Sequence, residues 1–174
     1  MSIDDIVMNI ENGKIPKIDD DIKSTLLNNA TQSKRLRASI CLSSPLDPIQ
    51  ELFSAIAPGS YIRPHLHEKA EEAIVALIGK FAVVEFSEFG GINDLNILNQ
   101  GDHVIINKGI WHTLFYMPSQ NSNAGLIYNP TTGPYQRDSH AIYAFWAPPE
   151  ESEFSEEGLR RIMLRAKMYE KAFL

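Results

Sequence analysis

Two histidines separated by one residue, His65 and His67, are the most chemically suggestive feature of this 174-residue chain, which has only five histidines. In an extended strand, side chains alternate between two faces, so both imidazoles would point the same way, about 7 Å apart. On an α-helix the two side chains would diverge and could not bind one ion. The pair therefore predicts a metal site or a polar surface pair, provided that the segment is a strand.

The surrounding residues favour a strand. Pro58 and Gly59 are typical of a turn, and Pro64 stands where a helix would be costly to continue. Residues 73–86 then form two apolar runs that meet at Gly79 and Lys80, which indicates a hairpin.

Two further donors have suitable positions. Glu72 begins the strand that leads to Gly79, whereas its neighbour Glu71 must face the opposite side. Residues 101–116 repeat the strand–turn–strand pattern, with His112 at the start of the second strand. In a closed antiparallel barrel, such a segment can place His112 beside the histidine pair.

The spacing of these residues resembles the two motifs of the cupin family. The first motif reads G-x5-H-x-H-x4-E-x6-G from Gly59 to Gly79, and the second reads G-x5-N-x-G-x2-H from Gly101 to His112. The resemblance implies an all-β fold, an antiparallel double-stranded β-helix or jelly-roll-like barrel. It also implies one divalent metal ion held by His65, His67, Glu72 and His112.

The second motif departs from the cupin pattern at two positions, Asn107, where cupins usually have proline, and Tyr116, where they have asparagine. These changes concern turn rigidity and pocket lining and leave the metal ligands in place. Over roughly residues 20–149, the segments RPHLH, KGIWH, GPY and FWAP resemble the WbuC-type cupins. Those are small proteins often found among surface-polysaccharide synthesis functions; their reaction does not follow from the resemblance.

Three imidazoles and one carboxylate suit iron, manganese, nickel, cobalt, copper or zinc, and these ligands alone do not choose among them. An octahedral ion would keep two positions for water or substrate oxygens. One hypothesis is a metal-dependent isomerase, epimerase or oxygenase acting on a small polar substrate, such as a sugar or sugar nucleotide. The alternatives are a non-catalytic binding or sensing cupin, a closed structural ion, and a metal-free sugar epimerase.

Three residues are weaker candidates for substrate binding. Arg63 shares the parity of the histidine pair, so it could meet an anionic group or form an ion pair at the barrel rim. Tyr61 has the same parity, although an aromatic residue in a small barrel is often part of the core. Tyr135 is a candidate only through the family-like GPY segment. Trp111 and Phe115 have the opposite parity to His112 and are predicted to pack.

Composition excludes several protein classes. A net charge of −6 and a pI near 5.3 argue against nucleic-acid binding. Cys41 is the single cysteine, so no intrachain disulfide can form, and no apolar run approaches the roughly 18 residues that cross a membrane. The acidic first 30 residues differ from a signal peptide, and we expect a soluble cytoplasmic protein.

The chain divides into three parts. Residues 1–33 are predicted to be a helical extension with short helices at 4–12 and 19–30. Residues 34–149 form the β-rich barrel. Residues 150–174 form an amphipathic helix that packs on the barrel or on a second subunit, and its predicted apolar face comprises Leu159, Ile162, Met163, Ala166 and Phe173. We expect a homodimer, because edge strands need covering and the family that the chain resembles commonly dimerises.

Overall fold

Eleven strands and two helices make up the residues described by the computed structural model, which are 5–7, 17–118, 122–135 and 141–173. The helices are α1 (Asp20–Gln32) and α2 (Ser155–Phe173). The strands are β1 (Asp5–Val7), β2 (Arg37–Cys41), β3 (Ile49–Ile56), β4 (His65–Leu66), β5 (Glu72–Ile78), β6 (Lys80–Phe86), β7 (Ile92–Leu98), β8 (His103–Ile106), β9 (Trp111–Met117), β10 (Gly125–Thr132) and β11 (Ile142–Tyr143).

The strands form two sheets that face each other. One sheet has the order β1-β2-β3-β10-β5-β8, and the other has the order β11-β4-β9-β6-β7. Every described strand pair is antiparallel except β1 with β2. This architecture confirms the predicted all-β antiparallel barrel with flanking helices.

Successive side chains of a strand point to opposite faces of its sheet, and the apolar side chains on these faces form three cores. The first lies between the two sheets and includes Phe81, Ile74 and Leu114. The second lies between α1 and the outer face of the six-stranded sheet, and the third lies between α2 and the outer face of the five-stranded sheet. Because each helix covers an outer face, strands in the middle of each sheet bury apolar side chains on both sides.

The helix α1 has the end signals that its sequence predicts. The Asp19 carboxylate accepts a hydrogen bond from the backbone N–H of Ile22 at 3.0 Å, which caps the first turn. Acidic residues at the start suit the positive end of the helix dipole. Leu26 and Ala30, one turn apart, are buried against the sheet. The helix predicted at residues 19–30 is therefore confirmed.

The C-terminal amphipathic helix is also confirmed as α2, with a narrower buried face than predicted. Leu159, Ile162 and Ala166 are buried, whereas Met163 is 39% exposed at the edge of that face. The side chain of Phe173, predicted to share the face, lies outside the described residues. No described helix is long and apolar enough to cross a membrane.

Two local predictions are wrong. Asp5–Val7 is a strand, β1, which pairs with β2, so the helix predicted at 4–12 does not include these residues; residues 8–16 lie outside the described ranges. The hairpin predicted at Gly79 and Lys80 is also absent as a strand pair, because β5 and β6 belong to different sheets. The same holds for β8 and β9.

Both segments are crossovers from one sheet to the other. Gly79 and Gly109 have φ angles of +90° and +78°, a region that favours glycine, so each allows a sharp change of direction. The residue types signal a turn in either case, and only the distant strands that pair with β5 and β6 decide between a hairpin and a crossover. Each crossover places its two strands in facing sheets, which closes the barrel.

Gly79 and Gly101 offer a matched test of this turn, because their φ angles are +90° and +94° but their surroundings differ. A Cβ at Gly79 would lie 2.7 Å from Tyr116, whereas a Cβ at Gly101 would meet nothing within 4 Å. We expect Gly101→Ala to lower the free energy of unfolding by about 1–2 kcal/mol through backbone strain alone. Gly79→Ala should cost more, as measured by chemical denaturation. Equal losses would show that the contact at Gly79 is unimportant.

Candidate metal centre

Four potential metal ligands converge where the two sheets meet. His65 in β4 lies directly across from His112 in β9, and His67 follows immediately after β4. Glu72, the first residue of β5, reaches in from the facing sheet. One ligand atom from each of these four residues lies within 4.8 Å of the others. The structure thus brings together all four residues that the sequence singled out.

The spacing of the ligand atoms suits a first-row metal ion. The Glu72 Oε2 atom lies 3.4 Å from Nε2 of His67 and 3.2 Å from Nε2 of His112. Two ligands bound at right angles, each about 2.1 Å from one ion, would be about 3.0 Å apart. A small adjustment of side chains would therefore complete the coordination.

Backbone carbonyl groups fix the orientation of two imidazoles. Nδ1 of His65 lies 2.9 Å from the Arg63 carbonyl oxygen, and Nδ1 of His112 lies 2.9 Å from the Ile110 carbonyl oxygen. Because a carbonyl only accepts hydrogen bonds, each Nδ1 must carry the proton. In the neutral ring, Nε2 then presents a lone pair, and that of His112 faces the Glu72 carboxylate. A cation between these electron-rich atoms would relieve the repulsion.

The electrostatic surroundings favour the metal-binding protonation states. Burial lowers the pKa of His65 to about 3, assisted by the neighbouring His112, so His65 is neutral at physiological pH. Burial alone would raise the pKa of Glu72. When Nε2 of His112 and of His67 also carries a proton, both rings donate hydrogen bonds to Glu72, which outweigh burial and hold that pKa well below its usual range. A metal ion would take the place of those protons. Glu72 is therefore a carboxylate, and His65 has a free lone pair.

A chain of buried hydrogen bonds holds the other oxygen of Glu72. Asn129 donates from Nδ2 to Oε1 of Glu72 at 3.0 Å and accepts at Oδ1 from the Ser54 hydroxyl at 3.3 Å. The Ser54 and Ser39 hydroxyls are 2.9 Å apart. This arrangement leaves Oε2 of Glu72 directed at the histidines. Sequence reasoning missed Asn129, although a polar residue within the apolar strand GLIYNPTT was a usable signal.

The alternation of side chains along a strand correctly predicted which other residues near the motifs face away from the ligand cluster. Glu71 is exposed, whereas Glu72 is only 7% exposed, as alternation along β5 requires. Trp111 and Phe115 belong to the core beneath α2, which confirms the prediction that they pack.

The structure places Tyr61 and Tyr135 outside the cluster of four ligands. Tyr61 is buried in the core beneath α2, and its hydroxyl donates to the Pro148 carbonyl at 2.9 Å. Burial raises the pKa of Tyr61 to about 12. Tyr135 is 42% exposed, and its backbone N–H donates to the Pro45 carbonyl. Neither residue belongs to the ligand cluster.

Arg63 lies next to the centre, but its guanidinium is engaged elsewhere. Its Nη2 atom donates to the Ala144 carbonyl at 2.6 Å, and its Cζ atom lies 5.5 Å from the centroid of the Tyr143 ring. Through its own carbonyl, Arg63 also orients His65. The contacts of this side chain therefore connect β11 to the segment before β4.

Several solved structures are similar to this chain in architecture. The DMSP lyase DddQ from Ruegeria pomeroyi DSS-3 has a TM-score of 0.50 and 18% identity, over 65% of this chain and 54% of that chain. A protein with a double-stranded beta-helix domain from Klebsiella pneumoniae has a TM-score of 0.48 and 12% identity, over 60% and 75%. A cupin-2 domain protein from Shewanella frigidimarina has a TM-score of 0.44 and 12% identity, over 55% and 80%. The likeness to DddQ is one of fold alone, and the two facing antiparallel sheets of this chain have the architecture of the cupin fold.

By sequence, part of the chain matches a family model whose function is not defined. The model of a domain of unknown function (DUF6016) matches residues 18–98, which is less than half of the chain. No curated protein matches by sequence. Within the cupin fold, the function therefore has to be argued from the site itself.

The hydrogen bond from Asn129 to Glu72 gives a direct prediction. Asn129→Leu removes the group that orients the carboxylate, and we expect it to weaken metal binding by about 10- to 100-fold in a chelator-competition titration. Tyr128→Phe is a matched control, because it removes a hydrogen bond from the same strand to a different carboxylate, Glu51. Equal affinity of the Asn129→Leu protein and the unsubstituted protein would contradict the positioning role.

The lowered pKa of His65 predicts a pH dependence of the metal-free protein. The pKa of His65 is about 6.5 in the unfolded chain, whereas burial lowers it to about 3 in the folded protein. Between these values the unfolded state binds more protons, so stability falls as the pH decreases. We expect the Tm of the metal-free protein to fall between about pH 7 and about pH 5, and His65→Gln to reduce that slope. An unchanged slope in His65→Gln, with exposed His103→Gln as the control, would contradict this.

Proposed function

We propose that this cupin binds one divalent metal ion through His65, His67, Glu72 and His112 and acts as an enzyme on a small polar substrate that reaches the ion. The observation that carries the proposal is the approach of Nε2 of His112 to Oε2 of Glu72 at 3.2 Å, with the ring proton committed to a carbonyl group on the other side. A cation bound between the Nε2 lone pair and the carboxylate oxygen would stabilise this buried arrangement.

The types of the four metal-ligating residues also indicate an ion that keeps coordination positions free for other ligands. A closed structural zinc site usually includes cysteine, and Cys41 lies in β2, outside both motifs. Four protein ligands leave two positions of an octahedral ion for substrate or water. The ion would supply Lewis-acid polarisation of a bound oxygen or activation of water. The chain's own residues would hold the ion, fix the ring tautomers and keep Glu72 ionised.

The substrate class proposed from the sequence is a sugar or sugar nucleotide in surface-polysaccharide synthesis, as implied by the resemblance of RPHLH and KGIWH to the WbuC-type cupins. The alternative function is metal-dependent binding or sensing without turnover. The homodimer also stays a proposal, supported by the exposed apolar side chains Leu164 and Met168 on α2.

Elemental analysis of protein purified without chelator tests metal binding. We expect about one divalent ion per chain. We expect His112→Ala to lower metal affinity at least about tenfold while the fold is kept, because the apolar core between the sheets lies largely outside the ligand cluster. His103→Ala is the control, since His103 is exposed and outside the cluster. Equal metal content in both variants, or none in the unsubstituted protein, would refute the proposal.

A further inference from the structure

A small cavity of about 130 Å³ adjoins the ligand cluster, with His112 in its lining. Its apolar wall includes Val83 and Val104. Its polar groups other than His112 are Glu85, Asn96 and Asn107. None of these lining residues is a lysine or an arginine. The cavity therefore combines one carboxylate and two amides with an apolar wall.

Glu85 lies beside the ligand His112 in the five-stranded sheet. It pairs directly with His112 across β6 and β9, so the two side chains share a face with Cβ atoms about 5 Å apart. His112 points into the barrel, because its Nε2 atom meets Glu72 from the opposite sheet. Glu85 must therefore also face inward, and it is half-buried there.

The Glu85 carboxylate keeps most of its capacity to accept hydrogen bonds. Its one described contact is a long hydrogen bond of 3.4 Å from the Asn93 amide. The neighbouring carboxylate of Asp94, by contrast, accepts bonds from the Leu95 backbone and the Asn96 amide at 2.8 and 3.0 Å. No ion pair joins Glu85 to a basic group in the part of the chain that the structure describes.

These features limit what the cavity can hold. Glu85 lines the cavity, and Asp94, outside the lining, lies directly across from it in β7, so this side of the cavity is negative and repels anionic groups. An ammonium group has no lone pair to offer a metal ion and would be repelled by it. A volume of about 130 Å³ is also far below the roughly 300–1,000 Å³ typical of drug-sized ligands, which excludes a whole nucleotide.

We propose that this cavity binds the hydroxyl groups of a small neutral polyol, with the Glu85 carboxylate accepting hydrogen bonds from a vicinal diol that extends toward the metal ion. The inference rests on the proposed function, because the ion holds one end of the ligand. It narrows the substrate class to neutral polyhydroxylated molecules, or to the neutral diol end of a sugar, and excludes ligands that enter through a phosphate or carboxylate. Asn96 and Asn107 supply amides at the rim.

The test uses the protein loaded with cobalt(II), whose visible spectrum reports ligands at the ion, and erythritol as the probe. We expect erythritol to change the spectrum saturably, and n-butanol, with one hydroxyl on an equal carbon chain, to leave it unchanged. Glu85→Gln should weaken erythritol binding at least about tenfold, because it removes a charge-assisted hydrogen bond. Cobalt affinity should be unaffected.

Glu88→Gln is the matched control, because it removes the same charge from an exposed residue outside the cavity lining. If Glu85→Gln does not fold, Asn107→Ala at the exposed rim takes its place, with an expected loss of about threefold for one neutral hydrogen bond. Erythritol binding that neither Glu85→Gln nor Asn107→Ala weakens would overturn the inference.

Two further outcomes separate this inference from the function on which it rests. If cobalt does not bind, the proposed function fails and the polyol site fails with it. If cobalt binds but erythritol leaves the spectrum unchanged, only the polyol site is overturned. Preferential binding of erythronate, strengthened by Glu85→Gln, would also overturn it by showing that the cavity accepts anions.

Discussion

The meeting of one buried carboxylate with three imidazoles is the interaction on which the rest of the site depends. Glu72 comes from one sheet, and the histidines come from the other, so their convergence requires the two sheets to close at this end. The carboxylate is kept in place by Asn129 on one oxygen and by the histidines on the other. The side-chain contacts of Glu72 thus direct its Oε2 atom to the point where the imidazole nitrogens meet.

The fold can accommodate these polar groups because its apolar packing is concentrated elsewhere. The cluster between the sheets includes Phe81, Leu114 and Ile127, and each outer face has its own core beneath a helix. The polar end of the barrel can therefore be built from histidine, glutamate and asparagine without removing the main source of hydrophobic stabilisation. Glycines at the crossovers, such as Gly79, allow strands that are consecutive in the chain to lie in facing sheets.

The resemblance of the two motifs to those of cupins predicted the four ligands, and local rules account for part of their geometry. The alternation of side chains in a strand is enough to direct Glu72 inward and Glu71 outward, and the spacing of glycines marks the turns. Strand pairing was not predictable in the same way, since whether β5 pairs with β6 depends on residues far away in the chain. The same reason explains why Asn129 was missed, because its partner Glu72 is 57 residues away.

X-ray absorption spectroscopy of the metal-loaded protein would identify the atoms bound to the ion. We expect nitrogen and oxygen neighbours at about 2.0–2.2 Å, with the multiple-scattering signature of three imidazole rings. Loss of one ring from that signature in His67→Ala would identify the centre. A spectrum of a hydrated ion without imidazole scattering would contradict a metal site at these four residues, because the metal would then be bound elsewhere.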